Sequence, residues 1–128
     1  KKTVLQKGEV VVSVHLPDPG KGDRSVYLKQ SRLKGHDLAT VGVAVRVNGE
    51  GKAALGICAV ATTPLRLRGL EDELNKRGLS EESILWAADE VKKVIKPISD
   101  VRSSAEYRLH ISGVLVKRGL MQVTKKEG

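Results

Sequence analysis

The chain has 128 residues, 40% hydrophobic and 30% charged, a size and composition suited to one globular domain. No run approaches the roughly 20 apolar residues of a membrane helix, and no long apolar h-region marks a signal peptide at the N-terminus. The formal charge of +8 suggests an acidic partner, but Tyr27, Trp86 and Tyr107 are the only aromatics, too few for a base-stacking platform. In chain order, residues 8–16 (Gly-Glu-Val-Val-Val-Ser-Val-His-Leu) read as a first strand, stopped by Pro17-Asp18-Pro19-Gly20. Residues 24–30 read as a second, with Val26 and Leu28 alternating against Tyr27 and Lys29. Residues 37–47 are rich in valine and read as a third, although Asp37 could also cap a short helical turn over 37–43. Asn48-Gly49 predicts a hairpin into a return strand over 52–60, both central residues being able to take positive φ.

The second half reads as helices. Pro64 opens the first, with Leu67, Leu70 and Leu74 at helical spacing and Gly78 at its stop. Ser80 caps a second, whose apolar face carries Ile84, Ala87, Ala88, Val91, Val94 and Ile95 before Pro97 blocks it. Ser103 and Glu106 form a capping box for a third, with Tyr107, Ile111, Val114 and Leu115 on its inner side. The charged tail from Thr124 onward is expected to fray. Strands first and helices second predict an α+β two-layer sandwich, an antiparallel sheet of three to four strands followed by about three helices, within residues 1–128 as a single domain.

Little in the composition carries chemistry. There is no Gly-x-Ser-x-Gly, Walker loop, His-Glu-x-x-His or Gly-x-Gly-x-x-Gly. The lone cysteine, Cys58, reads as a small buried hydrophobe and excludes an internal disulfide, consistent with a reducing cytoplasm. His15, His36 and His110 stand far apart, so no metal site is expected. The basic residues are spread along the whole chain, which favours a solvated surface or a protein interface over a nucleic-acid stripe.

The order of short strings goes further. Tyr27-x-Lys29-x-x-Arg32, Asp37-Leu38-Ala39-x-Val41-x-Val43-Ala44, Thr63-Pro64-x-Arg66-x-x-x-x-Glu71 and Asp100-x-Arg102-Ser103-Ser104-Ala105-Glu106-Tyr107-Arg108 follow one another in one chain. Together they resemble the C-terminal domain of the FAD-binding (medium) subunit of the molybdenum hydroxylases, the family of carbon monoxide, xanthine and nicotinate dehydrogenases. The similarity runs from near Leu5-x-x-Gly8-Glu9 and Leu16-Pro17 to near Arg118.

The resemblance implies an accessory domain of an oxidoreductase. A partner subunit with the molybdenum cofactor hydroxylates substrate, an iron–sulfur subunit passes the electrons on, and FAD delivers them to an acceptor. FAD would be held mainly by an N-terminal FAD-binding domain that these residues do not include, so the chain alone is expected to show no turnover. It looks like an excised domain, a proteolytic fragment or a naturally split subunit. Lys29 matches a lysine near the flavin edge, where a cation would stabilise negative charge on the reduced ring. Arg32, Lys34 and His36 fall on the loop bordering flavin and acceptor. Gly35 and His36 stand where mammalian xanthine dehydrogenase has acidic residues, which weakens any carry-over of NAD gating.

The remaining matched residues read as structural. Asp37 would orient the turn into the next strand, and Arg66 and Glu71 would brace the first helix. Asp100, Arg102, Glu106 and Arg108 would form an ion-pair and capping network, and Trp86 and Tyr107 would anchor core or interface. A stand-alone dimerisation domain and a basic nucleic-acid-binding module are the alternatives. Neither the substrate nor the electron acceptor is named by these residues.

Overall fold

In a computed structural model that describes residues 3–33, 35 and 37–125, four strands precede three helices. The strands are β1 (Arg24–Gln30), β2 (Val41–Val47), β3 (Ala53–Cys58) and the short β4 (Leu65–Arg66). They form one antiparallel meander in the order β1-β2-β3-β4, with Leu28 opposite Val43, Val43 opposite Ile57 and Ile57 opposite Leu65. The helices are α1 (Arg68–Arg77), α2 (Glu81–Val94) and α3 (Ala105–Thr124).

Period-two alternation decides which face is covered. Val41, Val43, Val45 and Val47 of β2 join Leu55 and Ile57 of β3 in the core, while Ala44 and Arg46 point away. Leu115, Val116, Leu120 and Val123 of α3 pack onto that inner face. Burying each such side chain contributes roughly 1.5–3 kcal/mol at most. Gly119 lets α3 approach, since a Cβ there would lie 2.6 Å from Val45 Cγ2. All helices lie on one side, so the outer face of the sheet stays open.

Several predicted boundaries move. Residues 8–16 form no strand: Val10, Val12 and Val14 are exposed, and no neighbouring strand supplies a ladder. The third predicted strand begins at Val41, because residues before it are held in a loop by the Asp37 carboxylate. The hairpin forms, but Asn48 closes a longer turn by accepting from Glu50 and Lys52 N–H, and the positive φ of 81° falls on Gly51. The return strand ends at Cys58, and Ala59 takes a φ of 63°. Pro64 does not open α1, since Leu65–Arg66 first pairs with β3 as β4. Ser80 caps α2 by accepting from Ser83 N–H, and Gly78, at φ 79°, ends α1. Val94 is exposed although the apolar face predicted it inward. The cap of α3 is Ser104, which accepts from Tyr107 N–H, one residue beyond the predicted box at Ser103.

Candidate functional site

Lys29 sits near the end of β1, where alternation points it to the open face beside Tyr27. Its ammonium donates to Gly35 O at 3.3 Å and to Asp37 O at 3.1 Å, tying strand to loop. An ammonium carries three donors, so among the described residues one Lys29 N–H has no partner. Across the loop, the Asp37 carboxylate accepts from the backbone N–H of Arg32 at 2.9 Å and Leu33 at 3.0 Å. The Arg32 guanidinium lies 3.6 Å from the same oxygen. The Leu33 N–H, then that of Arg32, hold the Asp37 carboxyl below its ordinary range against an opposing effect of burial. Asp37 therefore orients the loop as predicted. The structure brings Lys29 and Arg32 together around it; Lys34 and His36 lie outside the described residues.

Beside Lys29 the outer face is built from small side chains. Gly42 pairs with Lys29 in the register and lies under the Tyr27 ring. A Cβ at Gly42 would come 2.4 Å from Tyr27 Oη and 2.7 Å from Cys58 Sγ, so only glycine lets the phenol cross the strand. Tyr27 Oη and Cys58 Sγ are 3.7 Å apart. Partial burial and then the Cys58 contact push the phenol above its ordinary range. Cys58 is half-buried on this face, not the core hydrophobe predicted for it, because Ile57 takes the inward position and Cys58 the outward one. Next to them a shallow cleft of about 470 Å3 is lined by Tyr27, Ala44, Arg46, Ala54, Gly56 and Arg66.

The other matched residues brace this frame. Arg66 reaches Glu71 at 3.1 Å, and Glu71, nearly buried, accepts from Leu55 N–H at 2.8 Å. Helix α1 is thereby pinned to β3, although Arg66 belongs to β4 and not to the helix as predicted. Arg108 is 2% exposed and donates to Thr40 O, Ala59 O and Asp100. Asp100 also receives Arg102 at 2.6 Å. Glu106 is exposed and joins none of these ion pairs among the described residues. Trp86 packs against the core under the Arg77 guanidinium, 4.3 Å from its ring centroid, whereas Tyr107 is 42% exposed and stands outside the core. Among the described residues no His, Cys, Asp and Glu cluster could hold a metal, and no helix is long and apolar enough to cross a membrane.

Sequence reasoning missed Gly42, Thr40 and the outward turn of Cys58. Alternation along 41–47 places Gly42, Ala44 and Arg46 on one face, which was the available signal for the first. The carbonyl role of Thr40 leaves no sequence trace.

A family model described as the CO dehydrogenase flavoprotein C-terminal domain matches residues 26–123. The chain belongs to this family. It is 32% identical over 122 residues to the carbon monoxide dehydrogenase medium chain of Hydrogenophaga pseudoflava, covering 92% of this chain and 42% of that one. It is 26% identical over 134 residues to a putative xanthine dehydrogenase FAD-binding subunit of Escherichia coli, covering 99% and 45%. A solved carbon monoxide dehydrogenase from Hydrogenophaga pseudoflava, lacking the Mo-pyranopterin moiety of the molybdenum cofactor, superposes with a TM-score of 0.83 at 31% identity, over 94% of this chain and 43% of that one. A reconstituted CO dehydrogenase from Oligotropha carboxidovorans gives 0.73 at 30% identity, over 84% and 39%. The chain thus spans less than half the length of these relatives. The α+β sandwich expected from the sequence is the fold of this flavoprotein domain.

Proposed function

We propose that this domain packs beside the FAD-binding part of a molybdenum hydroxylase flavin subunit. There it supports electron transfer from iron–sulfur clusters through FAD to an acceptor. The partners are the FAD-binding domain, the iron–sulfur subunit and the molybdenum-cofactor subunit, in the cytoplasm. Membership of a flavoprotein family whose relatives are described as FAD-binding subunits carries the reading.

The residues present fit an edge contact with flavin and not the whole cofactor. The face around Lys29 is open, Gly42 lets the Tyr27 phenol lie flat across the sheet, and among the described residues the Lys29 ammonium has a donor left after its two carbonyl contacts. Lys29, with Arg32 and His36 on the adjoining loop, would line the flavin. Bound FAD would supply the electron relay. Lys29 would hold a fixed positive charge where negative charge accumulates, and its two carbonyl contacts keep that charge from moving.

Lys29→Ala in the intact, FAD-loaded subunit should lower the flavin reduction potential or slow reduction of the acceptor. Lys29→Arg should retain most of both, since the charge remains. A potential and acceptor kinetics that both stay at wild-type values in Lys29→Ala would refute the assignment.

A further inference from the structure

Residues 9–16 carry a pattern that the domain does not use. Val10, Val12, Val14 and Leu16 fall on one side of an extended chain, and Glu9, Ser13 and His15 on the other with Val11. Period-two alternation of this kind marks a strand that buries one face. The chain there is drawn out, for Ser13 Oγ lies 3.4 Å from His15 Nε2, a contact between side chains two residues apart. Yet Val10, Val12, Val14 and Leu16 are 76%, 90%, 77% and 84% exposed. No backbone hydrogen bond among the described residues involves positions 10–19. Both ladder edges and both faces of this arm are open, a state that is not stable by itself in water.

The comparisons indicate where the missing sheet lies. The family model begins at residue 26, so the arm falls outside the matched domain, but the Escherichia coli relative aligns over 99% of this chain and therefore includes it. The matched domain is by description C-terminal. The rest of the relatives' length, more than half, thus precedes it on the arm's side. Pro17 and Pro19 separate the arm from β1, interrupting any continuous strand between the two.

We propose that residues 9–16 add as a β-strand to an open sheet edge of the preceding FAD-binding part, with Val10, Val12, Val14 and Leu16 facing its core. The partner is a β-sheet with an unpaired edge and an apolar inner face, and strand addition would supply main-chain hydrogen bonds to both. The arm would then fix the distance between flavin and the Lys29 loop. This rests on the function proposed above.

Hydrogen exchange compares the 128-residue chain with the intact subunit. Amides of residues 10–16 should exchange at the unprotected rate in the chain alone and about 100-fold more slowly or better in the subunit. Val12→Lys should leave the thermal unfolding of the chain alone unchanged, since Val12 is solvated there, and should lower FAD retention in the subunit at least about tenfold. A subunit that holds FAD while its arm exchanges freely overturns the strand addition and leaves the functional reading intact. A subunit that holds no FAD overturns both. Protection that appears in the chain alone and grows with its concentration assigns the arm to a second copy and also overturns the proposal.

Discussion

Arg108 joins three loops through a single guanidinium. Its Nη1 donates to Thr40 O at 2.8 Å and Ala59 O at 2.6 Å, and its Nη2 to Asp100 at 2.8 Å. A cation 2% exposed needs an anion nearby, and Asp100 supplies it. Arg102, by side chain and then backbone N–H, and after burial's opposing effect Arg108, hold the Asp100 carboxyl far below its ordinary value of 3.8. A carboxyl depressed in the folded state stabilises the fold above its unfolded pKa, and that stabilisation is lost as pH falls through the folded value. Melting temperature should therefore drop as the solution is acidified below about pH 4. Asp100→Asn should melt lower at neutral pH and show a shallower acid-side decline. An identical decline in both proteins would assign the acid sensitivity to other carboxylates.

At the scale of elements, two glycines separate helix propensity from packing. Gly119 on α3 faces Val45, where a Cβ would lie 2.6 Å from Cγ2, whereas a Cβ at Gly69 on α1 would meet nothing within 4 Å. Gly119→Ala should destabilise by roughly 1–3 kcal/mol, because a packed valine must shift. Gly69→Ala should stabilise by up to about 1 kcal/mol through propensity alone. Denaturant titrations of the two variants check the signs, and matching signs would contradict the helix–sheet packing described. The same contrast explains what was legible beforehand. Helices α2 and α3 could be read because their patterns repeat over many turns and their caps are local. The start of α1 could not, since the pairing of Leu65 with Ile57 is a cross-strand choice that outranks Pro64. Residues 8–16 have strand composition, but a strand forms only where another chain segment completes its ladder. In the candidate site, Lys29 and Asp37 were singled out by the resemblance of the strings that contain them, and alternation adds only that Lys29 shares the open face with Tyr27. Alternation gives the face of Gly42 but not its role, which depends on a partner strand's Tyr27 crossing over it.

Over the whole molecule the charge of +8 invites a nucleic-acid role, and the arrangement of that charge argues against it. Many of the cations are already engaged. Lys92 and Lys93 pair with Asp89 and Glu90 on α2, Arg77 with Glu73 on α1, Arg66 of β4 with Glu71 of α1, and Arg46 of β2 with Asp23. A guanidinium or ammonium beside a carboxylate has its charge partly neutralised, so it adds less to phosphate binding than an unpaired cation does. These pairs also sit on both layers of the sandwich, the helical side and the open sheet face, and a single strand cannot follow both. The exposed aromatics Tyr27 and Tyr107 stand on different layers, β1 and α3, and offer no pair of adjacent stacking surfaces. Binding to a fluorescent single-stranded oligonucleotide at physiological salt should therefore be no tighter than non-specific association, about 10⁻⁶–10⁻⁴ M. Anisotropy titrations at several salt concentrations measure this directly. Nanomolar affinity with a steep salt slope would mean that several phosphates are neutralised at one built site, and would move the open face from a flavin partner to a nucleic-acid one.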